Sequence, residues 1–164
     1  MQSVIDDIEG ALKSRLQEEI TGLPALVKTL QKPDGTTVDV PVKVESYPRQ
    51  PSEQLLVTLA TSGALVVRYT GSKYSRKREV CGITVQDRTM GYEVLVFSDS
   101  LLARDTGAGI YELLDLAALR LIGFLPDGCV DGVELERDDY VEERKGAWTY
   151  GILLSVKTQT RRVA

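Results

Sequence analysis

Trp148-Thr149-Tyr150-Gly151-Ile152-Leu153-Leu154-Ser155-Val156-Lys157 carries the clearest pattern in the chain. Trp148, Tyr150, Ile152, Leu154 and Val156 share one face, opposite Thr149, Gly151, Leu153, Ser155 and Lys157. A period of two predicts a strand with one face on a core. Working back from it, Val130–Glu136, Tyr92–Phe97, Val80–Gln86, Ala64–Tyr69 and Leu55–Ala60 are further strand candidates, a short helical turn also fitting the last. Leu65-Val66-Val67 and Leu95-Val96-Phe97 are apolar on both faces, as in central strands covered by helices. Val38, Val40, Val42 and Val44 alternate with Asp39, Pro41, Lys43 and Glu45, and Pro41, lacking an N–H, places that strand at a sheet edge.

Two segments read as helices. Ser3 followed by Asp6 has the spacing of an N-terminal cap, and Val4, Ile8, Leu12, Leu16 and Ile20 then recur every four residues until Gly22 and Pro24. Ile110–Ile122 repeats the pattern more broadly: Ile110, Leu113, Leu114, Ala117 and Leu121 form one stripe, with Leu116 and Leu119 outside its centre. Residues 25–32 are ambiguous, and Pro33-Asp34-Gly35-Thr36 reads as a turn. Several strands in direct succession with two helices predict an α+β fold, a mainly antiparallel sheet flanked by an N-terminal helix and a second long helix. One domain over 1–164 is expected, with 71–79 a basic loop and 157–164 a C-terminal arm.

Composition narrows the chemistry. Of 164 residues none is histidine, which removes Ser-His-Asp and Cys-His catalysis and nearly every zinc or iron enzyme site. The two cysteines, Cys81 and Cys129, lie in strand-like runs and are expected to be reduced and buried, an isolated disulfide being the alternative. No run approaches the roughly 18–20 apolar residues of a membrane span, and the acidic N-terminus is unlike a signal peptide. With 20 Lys and Arg against 24 Asp and Glu, the formal charge is −4, which argues against nucleic acid as the main partner. The expectation is a non-enzymatic domain with no cofactor and no metal.

Few motifs suggest a site. Gly107-x-Gly109 ahead of a helix lacks the other glycines of a dinucleotide fingerprint and the lysine of a P-loop, and reads as a loop entering a helix. Glu112 and Asp115 fall on adjacent turns of one helix face, more an exposed or interface acidic surface than a divalent-ion site or acid–base pair. Arg68, Lys73, Arg76, Lys77 and Arg78 form a basic run interleaved with Tyr69 and Tyr74. A solvated loop, a protein interface and single-stranded nucleic acid binding all remain open for it. An acidic counterpart, with Glu134, Glu136, Asp138 and Asp139 at its centre, lies on a separate segment. Opposite charge on different elements of one chain suits head-to-tail assembly. Leu116 and Leu119 are candidates for a subunit contact or for cover by the N-terminal helix.

Several stretches together resemble a known family. They are Ala64-Leu65-Val66-Val67-Arg68-Tyr69-Thr70-Gly71, the strand Tyr92–Phe97, Gly109-Ile110-Tyr111-Glu112-Leu113-Leu114-Asp115, Leu121-Ile122-Gly123-Phe124-Leu125-Pro126-Asp127-Gly128 and Gly146-Ala147-Trp148-Thr149-Tyr150. With the opening helix, they are similar to the tail terminator, or tail-completion, proteins of Mu-like and related tailed phages and prophages. The resemblance implies a curved antiparallel sheet with helices and a self-assembled hexameric ring, a virion component built in the host cytoplasm. It also implies a ring that caps the tail tube, touching the tube protein on one side and the head–tail connector protein on the other. Another head–tail completion or minor tail component, or a binding module outside the virion, is the alternative.

Overall fold

In the computed structural model, which describes residues 3–48, 52–100 and 109–163, the Ser3 side chain caps the first helix. Its Oγ accepts the Asp6 N–H at 3.1 Å and opens α1, Val4–Gln17. Ile8, Leu12 and Leu16 are buried along one stripe, as their spacing predicts.

The valine alternation at 38–44 divides between two sheets instead of forming one edge strand. β1, Val27–Gln31, and β2, Thr37–Pro41, make a two-stranded antiparallel ribbon. Its turn is held by the Asp34 carboxylate, which accepts the Thr36 hydroxyl (2.6 Å) and N–H (3.0 Å). Those bonds keep Asp34 below the usual carboxylate range. After Pro41 the chain crosses over. The Val42 N–H donates to Leu26 O at 3.0 Å, and β3, Lys43–Ser46, joins the large sheet parallel to β4.

The candidate strand Leu55–Ala60 is a helix, α2, Glu53–Ser62. Ser52 caps it through the Leu55 N–H at 3.1 Å, and Gly63 ends it at φ 70°. Its buried residues Leu59 and Ala60 lie on one helical stripe. β4 then runs Ala64–Tyr74, β5 Arg78–Val80 and β6 Ile83–Ser98; α3 spans Ile110–Leu121, β7 Asp131–Arg144 and β8 Ala147–Val163. Four of the predicted strands are thus longer than their patterns. Val80–Gln86 and Tyr92–Phe97 fall largely within one strand, β6, and Gly91 does not interrupt it. Gly91 lies beside an irregularity in β4 between Tyr69 and Gly71, where an added Cβ would stand 2.6 Å from Thr70 Oγ1.

The large sheet has the order β3-β4-β6-β8-β7, with β5 also paired to β6, and every pairing but β3–β4 is antiparallel. The stretch 71–79, expected to be a basic loop, is strand except between β4 and β5, because Ser72–Tyr74 and Arg78–Val80 pair in turn with β6. The expected arm at the C-terminus is, over 157–163, the end of β8 on β6.

The described residues are mixed α and β and mainly sheet, with three helices among them where two were expected. Alternation divides the apolar residues. Leu65, Val67, Tyr92, Val94, Val96, Ile152, Leu154 and Val156 pack with α1 and α3. Val66, Leu95 and Phe97 point the other way and pack with α2. The buried Tyr92 hydroxyl donates to Ile5 O at 3.0 Å, tying α1 to β6, and desolvation raises its pKa well above the usual phenol range.

Both cysteines differ from expectation in their setting. Cys81 is exposed in the two-residue turn between β5 and β6, at φ 48° with Gly82 at 75°. Positive φ at both positions suits the strand twist of a tight hairpin, and Lys145-Gly146 (50° and 77°) repeats it between β7 and β8. Cys129 is half-buried against the core, where desolvation raises its thiol pKa.

One buried charge ties the ribbon to the large sheet. Lys28 is 1% exposed, and its ammonium contacts Asp99 and donates to the carbonyls of Ala60 (3.2 Å) and Thr61 (2.7 Å) at the end of α2. Asp99 itself is 43% exposed.

Two measurements check these placements. Asp99→Asn removes the countercharge of a buried ammonium while leaving its carbonyl acceptors, and is expected to cost about 3 kcal/mol in urea unfolding, the low end for a broken buried pair. Lys28→Met leaves a carboxylate that can reach water, so its expected cost is smaller, about 1 kcal/mol; equal losses would refute that asymmetry. In the folded protein iodoacetamide is expected to alkylate Cys81 first and Cys129 only slowly, the difference vanishing in denaturant.

Candidate functional site

The two outer edges of the large sheet carry opposite charge. β3 pairs with β4 from Ala64 to Val67, so from Arg68 onward that edge has no strand beside it among the described residues, and β5 prolongs it along β6. β7 pairs with β8 on one side only and forms the other edge.

The basic candidates divide by partner. Arg68 forms an ion pair with Glu93, through an Nε–Oε2 hydrogen bond of 2.6 Å, and lies over the Tyr47 ring at 5.2 Å. Arg78 forms an ion pair with Asp87 at 2.8 Å, which lowers the Asp87 pKa and raises that of Arg78. Lys73, Arg76 and Lys77 are exposed and have no carboxylate within ion-pair distance among the described residues. Among the described residues the basic run therefore leaves three cations without an ion-pair partner.

The β6–β8 register adds residues that the sequence analysis does not single out. Thr89 stands opposite Lys157, Val85 opposite Arg161 and Thr84 opposite Arg162. Arg88 joins them, donating to Ser72 Oγ (2.9 Å) and the Tyr69 hydroxyl (3.2 Å); the Ser72 bond first, then Arg88, lowers the Tyr69 pKa. Residues 72–90 and 157–163 together hold eight basic side chains against two acidic ones. Only the pairing of strands far apart in sequence reveals this cluster.

On the opposite edge, β7 carries seven acidic side chains and two arginines. Arg137 pairs with Asp139 at 2.7 Å and Arg144 with Glu142 at 3.0 Å. Glu134, Glu136 and Asp138 are exposed, with no cation within ion-pair distance among the described residues. Register shifts interrupt β7 at 131–134, 135–137 and 140–142 and leave Arg137–Tyr140 regular.

The helical candidates fall elsewhere. Glu112 and Asp115 are exposed on α3. Among the described residues no three His, Cys, Asp or Glu side chains converge as a metal site. Asp105 and Gly107 of the glycine loop lie outside the described residues, and Gly109 opens α3 without a side-chain cap. Leu116 packs half-buried against the core shared by α1 and α3, whereas Leu119 is 54% exposed and Ile122, one turn on, 61%. Leu125 and Val130, in the segment leading to β7, are exposed as well. Beside α3, Tyr111, Tyr150, Tyr140 and Trp148 make successive edge contacts, with ring centroids 5.8, 5.6 and 6.3 Å apart. The hydrogen bond to Tyr111 is the main cause of the raised Tyr150 pKa.

This geometry offers surfaces for association and no convergent set of reacting groups among the described residues. No curated protein matches the chain. The model of a phage-associated family, described as Gp37 protein, matches residues 37–162, a span that contains every strand of the large sheet except the last residue of β8. The chain belongs to the Gp37 protein family.

Proposed function

We propose that this protein is a non-enzymatic structural component of a phage tail. In this reading copies close into a ring, hexameric by resemblance to tail terminators, that caps the tail tube and offers the head–tail connector protein a surface. The site of action is the virion tail, after assembly in the host cytoplasm. Membership of a phage-associated family supports the setting. The observation that carries the role is the exposure of four large apolar side chains in and just after α3: Leu119, Ile122, Leu125 and Val130 all face solvent in a single copy. Contact sites are where soluble proteins gather exposed apolar side chains.

The action would be geometric. A closed ring sets one face against the last tube ring and the other toward the head, and bound at the tube end it blocks further addition. Burying one leucine at such a contact contributes about 1.5–3 kcal/mol, enough to shift association roughly tenfold to a hundredfold.

Light scattering across a concentration series, with and without tube protein, tests the reading. Ring-sized particles are expected; a monomer at tens of micromolar that tube and connector leave unchanged would overturn it. Leu119→Asp is expected to keep the parent's melting curve and weaken attachment to the tube by about tenfold or more. Filter binding at physiological salt is expected to retain little DNA. Tight binding that falls steeply with salt would instead give the basic cluster to nucleic acid.

A further inference from the structure

We propose that neighbouring copies join by continuing the sheet, the acidic edge strand β7 of one copy lying along the basic edge made by β4 and β5 of the next. This rests on the ring reading and names the surfaces that close it. Two observations carry it beyond a general statement of charge.

The first is that both edges present backbone. Among the described residues, the outer side of β4 beyond Val67 has no neighbouring strand, and neither has the outer side of β7. Unpaired strand edges recruit another strand unless something prevents it, and the bulges of β7 blunt most of its length. They spare Arg137–Tyr140, and on β4 the run Gly71–Tyr74 is equally regular. A short straight segment on each edge, bounded by irregular backbone, restricts pairing to one place.

The second observation is the placement of the unpaired charges. Lys73 lies in the straight segment of β4, and Arg76 and Lys77 follow in the turn to β5. Asp138 lies in the straight segment of β7, with Glu134 and Glu136 just before it. The remaining cations of the basic run, Arg68 and Arg78, already have carboxylates within their own chain. The cations left over on one edge thus match anions left over on the other. Because the two edges differ, the contact is heterologous, the kind that closes rings through rotation instead of stopping at a dimer. A second copy is the occupant that this complementarity favours, since each copy carries both halves.

A charge exchange tests the proposal. Lys73→Glu/Arg76→Glu/Lys77→Glu makes both edges acidic, and Glu134→Lys/Glu136→Lys/Asp138→Lys makes both basic. Each variant alone is expected to associate at least about a hundredfold more weakly than the parent, through like-charge repulsion. An equimolar mixture is expected to regain parent-sized particles with alternating copies. Hydrogen exchange on the parent is expected to show amides of 71–74 and 137–140 gaining protection in the particle.

Variants that assemble like the parent would overturn the edge pairing and leave the ring reading standing. So would a mixture that stays monomeric while each variant melts like the parent. Normal assembly of the acidic variant with loss of salt-sensitive DNA retention would assign the basic edge to nucleic acid instead. A parent that never assembles, even with tube protein, overturns both the ring reading and the edge pairing. Should a triple variant fail to fold, Lys77→Glu and Glu136→Lys, single changes at exposed positions, give the same comparison with smaller shifts.

Discussion

The antiparallel pairing of β6 with β8 is the constraint on which the rest of the molecule depends. It runs without a register shift from Ile83 opposite Val163 to Ser98 opposite Trp148. β4 and β5 attach to the free side of β6, β7 to the free side of β8, and both helical layers rest on the residues these two strands alternate. A slip of one residue would exchange the two faces of a strand and turn Glu93 toward the apolar α1–α3 layer. The contact between Glu93 and Gly151 bears on that register. The carboxylate of Glu93 lies over Gly151, where even an alanine Cβ would collide with it, and Arg68 neutralises it from β4. The same glycine that leaves a gap in the alternation of β8 makes room for the one buried acid in the middle of the sheet.

What could be read in advance follows from how local each signal is. Trp148–Val156 shows its buried face plainly, because alternation needs only the strand itself, and the stripes of α1 and α3 are equally self-contained. The continuity of β6 through Arg88-Thr89-Met90-Gly91 is not legible, since those residues look like a polar break. They remain strand because β4 and β8 supply hydrogen bonds on both sides. Leu55–Ala60 is apolar enough for a strand or a helix, and the cap at Ser52 decides between them. The valines at 38–44 keep perfect alternation while the chain changes sheet at Val42, an event that depends on Leu26 and Gly63 far from that pattern.

The candidate site divides in the same way. The basic and acidic runs are visible as composition. Neither the ion pairs that occupy Arg68 and Arg78 nor the arrival of Lys157, Arg161 and Arg162 on the other side of β6 can be inferred from spacing. Leu116 and Leu119 look equivalent on a helical wheel. Only the packing of α1 against α3 separates a core leucine from a surface one. The phage family matched by most of the chain covers the sheet and all but the first helix.

The β1–β2 ribbon behaves as a latch on this scaffold. Two strands alone are marginal in water, so its folded state depends on its attachment to the larger body. Among the described residues that attachment includes the Lys28 ammonium at the end of α2, the buried side chains of Leu26 and Val42, and the Lys43–Gly63 backbone bond where the chain leaves the ribbon. Local opening of the ribbon is therefore expected to need less free energy than unfolding of the core. One molecule thus joins a continuous six-stranded sheet to a ribbon held by one buried cation and two apolar side chains.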